Sequence, residues 1–500
     1  MKAENQERKK FYITTAIDYV NGPPHIGHAL EKIQADVLAR YHRLQGDEAF
    51  FLTGTDEHGA KIARAAEAAR KDPQRFTDEM ATYFRQLKEP LNLSWNDFVR
   101  TSDQKRHWPG AQKLWMRLFD AGDLYKKKYE GLYCVGHEAF VTEKDLVDGK
   151  CRDHQKEPEL IAEENWFFRL SKYTKAIKEH MANGRLQIIP ETRQNEILSF
   201  LEQGLEDVSF SRPAKDLSWG IPVPNDPEHT MYVWCDALTN YITALGYGED
   251  EGRKTRDKSE SQFARFWPAD VHVIGKDILR FHAAIWPGML LSAGLPLPRA
   301  IFVHGFITVE GQKMSKTIGN VIDPFELVKK YGTDPVRYYL LREIPSGEDG
   351  DFSESKFRER YNGDLANGLG NFSARIITLA EKLKAKRQNL KATIQNAKLN
   401  AEIRKAQTGY ETAVKDFKLH EALEQVWQLI HAGDKYINEE RPWESEKLEV
   451  IGELLGMLLE IARLLEPFLP GTAQKIRDQI VVKDSNVLEI KRAGTLFPRL

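Results

Sequence analysis

Hydrophobic positions along this chain follow two different periods, and the changes of period mark its elements. Phe11 to Ala16 is a short run dominated by aromatic and β-branched residues, which reads as a buried strand. The polar stretch Asp18-Tyr19-Val20-Asn21-Gly22-Pro23-Pro24 ends it as a loop. From His25 the apolar positions Leu30, Ile33, Val37, Leu38 and Tyr41 recur at helical spacing and predict one buried face of an amphipathic helix. Ala49 to Leu52 reads as a second strand. Strand, helix and strand in this order predict a βαβ unit with parallel strands and a right-handed crossover. The fold class is therefore α/β, a doubly wound parallel sheet. Such sheets bind ligands at the carboxyl ends of their strands, where the loop before His25 and the loop Gly54-Thr55-Asp56-Glu57-His58-Gly59 are both expected.

Between about Tyr125 and Asn225 the runs shorten and turn residues accumulate, which predicts an insertion; strand-like Val271 to Ile274 and Ala300 to Val303 resume the sheet. Beyond about Arg360 helical spacing takes over, in Leu419, Leu423, Val426, Trp427 and Ile430, then in Ile451, Leu454, Leu455, Leu458, Ile461, Ala462 and Leu465. The last third is a predicted helix bundle. Composition narrows the function classes. With 72 Lys+Arg against 74 Asp+Glu the formal net charge is -2, so any polyanion site must be a local patch. No run approaches the length of a membrane span, and the charged first ten residues do not form an export signal. Three cysteines cannot build a disulfide framework, which fits a reducing, cytoplasmic setting.

His25-Ile26-Gly27-His28 places two imidazoles at i and i+3 on the first turn of the predicted helix, beside N–H groups without intrahelical partners. That is an anion site, and the imidazoles can add donors as charge builds on an α-phosphate, with Gly27 leaving room for a flat base. Lys313-Met314-Ser315-Lys316-Thr317, bounded by Gly311 and Gly319, supplies flexible cations suited to phosphate oxygens. This second motif resembles the mobile lysine loop of class I aminoacyl-tRNA synthetases. With both motifs in order, the chain resembles the methionyl-tRNA synthetase family along essentially its whole length.

The resemblance implies an enzyme that uses ATP with Mg2+ to activate L-methionine and load tRNA(Met), initiator tRNA included. It implies His25, His28, Lys313 and Lys316 as catalytic residues, and His25, Gly27, His28, Gly275, Asp277 and Lys316 as ATP-binding. The family's methionine pocket matches Ala16, Ile17, Tyr19, Asp56, Trp234, Ala237, Leu238, Tyr241, Ile278 and His282. Their chemistry suits a thioether, which hydrogen-bonds weakly and is selected by close aromatic and aliphatic contact. A donor from Tyr19 or His282 could reach the sulfur, and Asp56 suits the ammonium group. Asp18 stands where relatives often carry proline or tyrosine, and Thr317 is a milder departure.

Cys134-x2-His137-x13-Cys151-x2-His154 has the spacing of a zinc knuckle, with a metal-free hairpin as the alternative. Between Lys356 and Lys391 nine basic residues (Lys356, Arg358, Arg360, Arg375, Lys382, Lys384, Lys386, Arg387, Lys391) face Glu359, Asp364 and Glu381, a local excess of six charges suited to a phosphate backbone. Asn367, Asn371 and Arg375 stand four apart on one helical face, and these with Trp443 match the family's anticodon readers. The expected organisation is a Rossmann-type catalytic half (1–120), a connective insertion (121–230), the second catalytic half (231–304), a lysine-loop and stem-contact region (305–360) and an all-α anticodon-binding domain (361–500). No further C-terminal dimerisation segment is seen, so a monomer is expected. Two other readings stay open: a sister synthetase for leucine, isoleucine, valine or cysteine, and a catalytically silent RNA-binding paralogue. The insertion of about 100 residues is short for an editing domain, and intact His25, His28 and Lys316 speak against silence.

Overall fold

A computed structural model describes residues 8–137, 139–153, 155–249, 261–314, 319–384, 392–445, 447–482, 488–491 and 494–500. They form two compact units, one of Met1–Pro24, Gly46–Leu87 and Trp95–Val303, the other of His25–Gln45, Lys88–Ser94 and His304–Leu500. The first unit is built on a seven-stranded sheet. Its order is Gln187–Ile189, Ala300–His304, Val271–Gly275, Lys10–Thr15, Glu48–Asp56, with Asp18–Tyr19 and Asp97–Arg100 both pairing with Glu48–Asp56. Lys10–Thr15 lies parallel between Glu48–Asp56 and Val271–Gly275, as the βαβ pattern predicts. Three features differ from the sequence reading. The second strand runs on to Asp56, because Asp97–Arg100 and Asp18–Tyr19 supply parallel partners along its polar end. Gly54 permits that pairing, since a Cβ there would stand 2.2 Å from the Val99 carbonyl oxygen. Gln187–Ile189, from within the expected insertion, is part of the main sheet, paired in parallel with Ala300–Phe302. The rest of the insertion forms separate antiparallel sheets, the largest led by Leu124–Cys134 and Glu159–Phe168, together with the helices Thr174–Ala182 and Glu191–Glu202.

In the second unit the helix Ile26–Leu44 buries Leu30, Ile33, Val37, Leu38 and Tyr41, the predicted face, but also Glu31, Lys32, Gln34 and Asp36. Buried polar groups need partners. Glu31 meets His304 Nε2 at 3.1 Å, Gln34 donates to the Ser346 carbonyl at 3.2 Å, and Asp36 accepts from Arg40 and from Ser94 and pairs with the fully buried Arg337 at 2.9 Å. Burial alone would raise the Asp36 carboxyl, but Arg337 and Arg40 hold it below the ordinary range. The predicted bundle is present, with Asn371–Lys384, Ala397–Lys415, Leu419–Glu440, Leu448–Leu465 and Pro470–Gln479 as its helices. The sequence reading missed a closing hairpin, Ile480–Val482 with Leu488–Ile490, and the π-helical segment Tyr361–Gly370. Among the described residues no helix is long and apolar enough to cross a membrane.

Candidate active site

His25 is the N-cap of the helix Ile26–Leu44, not a member of its first turn. Its Nδ1 accepts from the Gly27 N–H at 3.1 Å, and the His25 N–H donates to Nδ1 of His28 at 3.0 Å. The Ile26 N–H donates to the Ile322 carbonyl at 3.0 Å. Three N–H groups that the sequence reading offered to an anion are therefore already occupied. What remains is more specific. A ring whose Nδ1 accepts a hydrogen bond carries its proton on Nε2, so both imidazoles are neutral Nε2–H donors. Burial, with His25, Lys32 and His304 nearby, holds His28 well below the ordinary histidine pKa, which keeps it in that form. The rings lie 3.9 Å apart between centroids. Gly27 is required by the cap itself: a Cβ would stand 2.9 Å from Cε1 of His25. Glycine thus makes room for an imidazole, where the sequence reading assigned that room to a base. Met314 of the lysine loop reaches the same spot, 3.9 Å from that Cβ position. Lys313 is exposed at the end of the short strand Gln312–Lys313, and Lys316 lies outside the described residues.

In the first unit, Ala16, Leu238 and Tyr241 are buried members of one hydrophobic cluster, with Ile17, Tyr19, Trp234 and Ile278 packed partly buried against it. Ala237 is buried in the short helix Val233–Ala237, and Asp56, 7% exposed, is the last residue of its strand. Gly275 ends Val271–Gly275, while Asp277 is exposed in the following turn. All the strand-borne members sit at carboxyl ends. Trp234 stacks on Phe281 at 3.9 Å with a 5° tilt and meets the His282 ring edge-on at 6.0 Å. Phe281 was not singled out by sequence; only its place beside His282 could have suggested it. His282 Nδ1 donates to the Ile278 carbonyl at 3.0 Å, and its Nε2 accepts from the Tyr241 hydroxyl at 2.7 Å. Burial moves its pKa down to about 4. A neutral ring with both nitrogens engaged has no N–H left for a thioether, so His282 orients Tyr241 and does not donate to sulfur. Asp18 is buried, and its strand pairs with Thr55 and Asp56.

A buried network that the sequence did not reveal surrounds the loop after Asp56. Glu57 accepts from Thr55 at 2.6 Å, from Arg100 at 2.7 and 2.8 Å, and from Ser102. His58 Nδ1 and His107 Nε2 both reach the Asp236 carboxylate at 2.6 Å.

The family described as tRNA synthetases class I (M) matches residues 11–157 and 141–377. Methionine–tRNA ligase of Clostridium acetobutylicum is 42% identical over 518 residues, spanning 99% of this chain and 79% of that protein. The Brucella suis methionine–tRNA ligase is 43% identical over 488 residues, 95% of this chain and 92% of that one. Mycobacterium tuberculosis methionyl-tRNA synthetase in complex with methionyl-adenylate matches with a TM-score of 0.89 at 38% identity, covering 98% of this chain and 100% of that one. The chain belongs to the class I methionyl-tRNA synthetases.

Two further groups of synthetase residues were expected. Cys134, His137 and Cys151 bring their ligand atoms within 4.8 Å of one another, while His154 lies outside the described residues. His137 Nε2 is 3.0 Å from the Asp153 carboxylate and its Nδ1 is 3.5 Å from Cys151 Sγ. A carboxylate on one nitrogen leaves the other bare toward the thiols, the arrangement a metal-ligating histidine needs. In the bundle, Asn367 and Asn371 are exposed, but Asn367 Oδ1 accepts from Arg499 at 2.6 and 2.9 Å. Arg375 reaches Asp434 at 2.8 Å and Asn438 at 2.9 Å. Tyr361–Gly370 is π-helical, so strict four-residue spacing does not join Asn367 to Asn371. Trp443 is 50% exposed, two residues after Arg441, whose φ is 45°. The basic strip is weaker than its linear count. Lys356, Arg358, Arg360 and Arg375 pair with Glu343, Glu354, Asp364 or Asp434, mostly acids from outside the segment. Lys386, Arg387 and Lys391 lie outside the described residues.

Proposed function

We propose that this chain is a methionine–tRNA ligase, which activates L-methionine with MgATP and transfers it to the 3′-terminal adenosine of tRNA(Met), initiator tRNA included. The observation that carries this is the chemistry of the cluster around Tyr241. Its buried polar atoms on Tyr241 and His282 are spent on each other and on a carbonyl, leaving aromatic and aliphatic surface with one carboxylate, Asp56, at a strand end. Such a pocket suits an uncharged side chain with a soft sulfur and an ammonium group beside it. Ala16, Ile17, Trp234, Ala237, Leu238 and Ile278 supply the contact surface, and Tyr19 supplies a hydroxyl for the sulfur.

One carboxylate oxygen of methionine attacks the α-phosphorus of ATP. The bond from that phosphorus to the oxygen bridging to the β-phosphate breaks, and Mg-pyrophosphate leaves. No side chain forms a covalent bond. His25 and His28 donate Nε2–H to the charge growing on the α-phosphate, and Lys313 and Lys316 neutralise the leaving group. Gly275 and Asp277 receive the rest of the nucleotide. The 2′-hydroxyl of the terminal adenosine then attacks the carbonyl carbon, the bond to the phosphate oxygen breaks, and AMP leaves with the hydroxyl proton. Asn367, Asn371, Arg375 and Trp443 read the anticodon. Cys134, His137 and Cys151, with His154 as the fourth ligand, would hold a structural zinc, which would cross-link the insertion and take no part in the reaction. None of the three cysteines, all of them described residues, is in a disulfide, which supports a cytosolic setting.

Exchange of labelled pyrophosphate into ATP, run with each amino acid in turn, tests the reading: methionine alone should support it, and exchange driven by leucine or by no amino acid overturns it. Elemental analysis after zinc-replete expression should find close to one zinc per chain; less than about a tenth of an equivalent removes the metal site.

A further inference from the structure

The Asp236 carboxylate lies at the centre of a polar network with no exit to solvent. Asp236, His58 and His107 are 1%, 2% and 0% exposed. One carboxylate oxygen takes Nδ1 of His58 and the other takes Nε2 of His107, each at 2.6 Å. His107 Nδ1 is 2.8 Å from the Thr243 hydroxyl, which fixes its ring from the far side. His58 has no such second anchor: its Nε2 is buried and has no hydrogen-bond partner among the described residues. Between the Trp219 and Trp108 rings, at 5.2 and 6.0 Å, the His58 ring is therefore oriented by a single polar bond, the one to Asp236.

The two ends of that bond belong to the two halves of the pocket. His58 is two residues beyond Asp56, on a loop whose other side is tied down by Glu57 to Arg100 and by the Trp219 indole N–H to the Glu57 carbonyl at 2.5 Å. Asp236 is on the helix Val233–Ala237, between Trp234 and Ala237. We propose that Asp236, His58 and His107 are positioning residues for methionine, holding the loop that presents Asp56 against the helix that presents Trp234, so that ammonium and side chain are met at a fixed separation. This rests on the assignment of Asp56 and Trp234 to the methionine pocket. A misplaced pair should weaken methionine and leave the nucleotide untouched, because none of the three stands among the residues assigned to ATP.

The test is pyrophosphate exchange on the full chain with methionine and ATP varied separately. Asp236→Leu keeps the volume and removes both bonds; it should raise the methionine KM about tenfold or more while the ATP KM stays within about twofold. Asp236→Asn keeps one acceptor and one donor, and His107 can move its proton to Nδ1 to match, so its methionine KM should rise only about two- to threefold. His58→Leu should behave like Asp236→Leu. His58→Asn retains an N–H where Nδ1 stands and should restore methionine KM to within about threefold. If Asp236→Leu does not fold, the His58 pair carries the same comparison. Methionine and ATP KM rising together, or His58→Asn failing as badly as His58→Leu, mark a general structural role and overturn the inference. Asp56→Asn separates the two levels. Unchanged methionine KM in that variant overturns the pocket reading and this inference with it, whereas a raised value beside normal Asp236→Leu and His58→Leu enzymes overturns the inference alone.

Discussion

Histidine is used in opposite ways at the two candidate sites, His25 and His28 in the second unit and His282 in the first. In the second unit His25 and His28 each accept a backbone N–H at Nδ1, which places the ring proton on Nε2. In the first unit His282 spends both nitrogens inside the protein, one on Ile278 and one on Tyr241. The residue type is the same and the chemistry is not. A neutral ring with its proton on Nε2 can donate it to charge on a substrate; a ring whose N–H is given to a backbone carbonyl can only fix the shape of a cavity. That division matches what each unit is proposed to hold: phosphates and RNA, which need donors and stacking faces pointing outward, against a thioether, which needs a closed surface with its own polar atoms already satisfied.

The largest effect should come from separating the two jobs of a second-unit histidine. In His28→Asn the side-chain oxygen can still accept from the His25 N–H, but the Nε2 donor is gone. Methionine activation should fall by roughly 100-fold or more, the usual loss for one preorganised donor at a developing charge, with little change in thermal stability. Equal loss of stability and activity would make His28 only a helix cap. A smaller effect is expected at the exposed face of the bundle. Trp443→Ala removes a stacking surface worth about 1–3 kcal/mol, or roughly 5- to 150-fold in aminoacylation, while pyrophosphate exchange stays normal. If both reactions fall, Trp443 is a folding residue; if neither does, the anticodon is read elsewhere.

On the first-unit side, Tyr241→Phe leaves Nε2 of His282 buried without its donor. The expected cost is about 1–3 kcal/mol of stability together with a higher methionine KM, read by thermal unfolding and exchange kinetics. A variant as stable as the parent would show that the Tyr241–His282 bond does not set the cavity, and the contrast between the units would lose its first-unit half.

What the sequence made legible follows the same division. Local signals were readable: the first strands of the sheet, the apolar face from Leu30 to Tyr41, and the pattern of the bundle, because each depends on spacing within one segment. Which pocket residues share a cluster could be anticipated only through family resemblance, since Tyr19, Trp234 and Ile278 are distant in sequence and meet through the sheet. The roles of individual atoms were not readable at all. Composition cannot say that Gly27 accommodates the ring of His25, that Arg375 is already paired with Asp434, or that His282 has no proton to give. Charge counted along the chain overstated the basic strip, because Glu343, Glu354 and Asp434 come from outside it. His58 was visible inside a quoted loop, but nothing local to it or to Asp236 indicates that they meet each other and His107.

The smallest effect is one of pH, and it tests whether His282 is held neutral. An unfolded histidine titrates near 6.5, whereas His282 in the folded chain titrates at about 4 because burial disfavours its charged form. Between these values the unfolded chain binds a proton that the folded chain does not, so stability rises with pH across the window. The contribution is complete above pH 6.5 and is lost progressively as the pH falls toward 4. Between pH 6.5 and 5.5 the loss from this one group should be about 1 kcal/mol. His272, buried beside Tyr241, is shifted in the same direction, as are His28 and His420, so the wild-type curve alone mixes them. His282→Gln isolates the term: glutamine can accept from Tyr241 but does not titrate, and the difference between wild-type and variant unfolding free energies should shrink by about 1 kcal/mol as pH drops from 6.5 to 5.5. A difference that stays flat over that interval would mean His282 is protonated in the folded state or exposed to water there. The two units would then not differ in how they use the imidazole, and the donor to sulfur would return to His282.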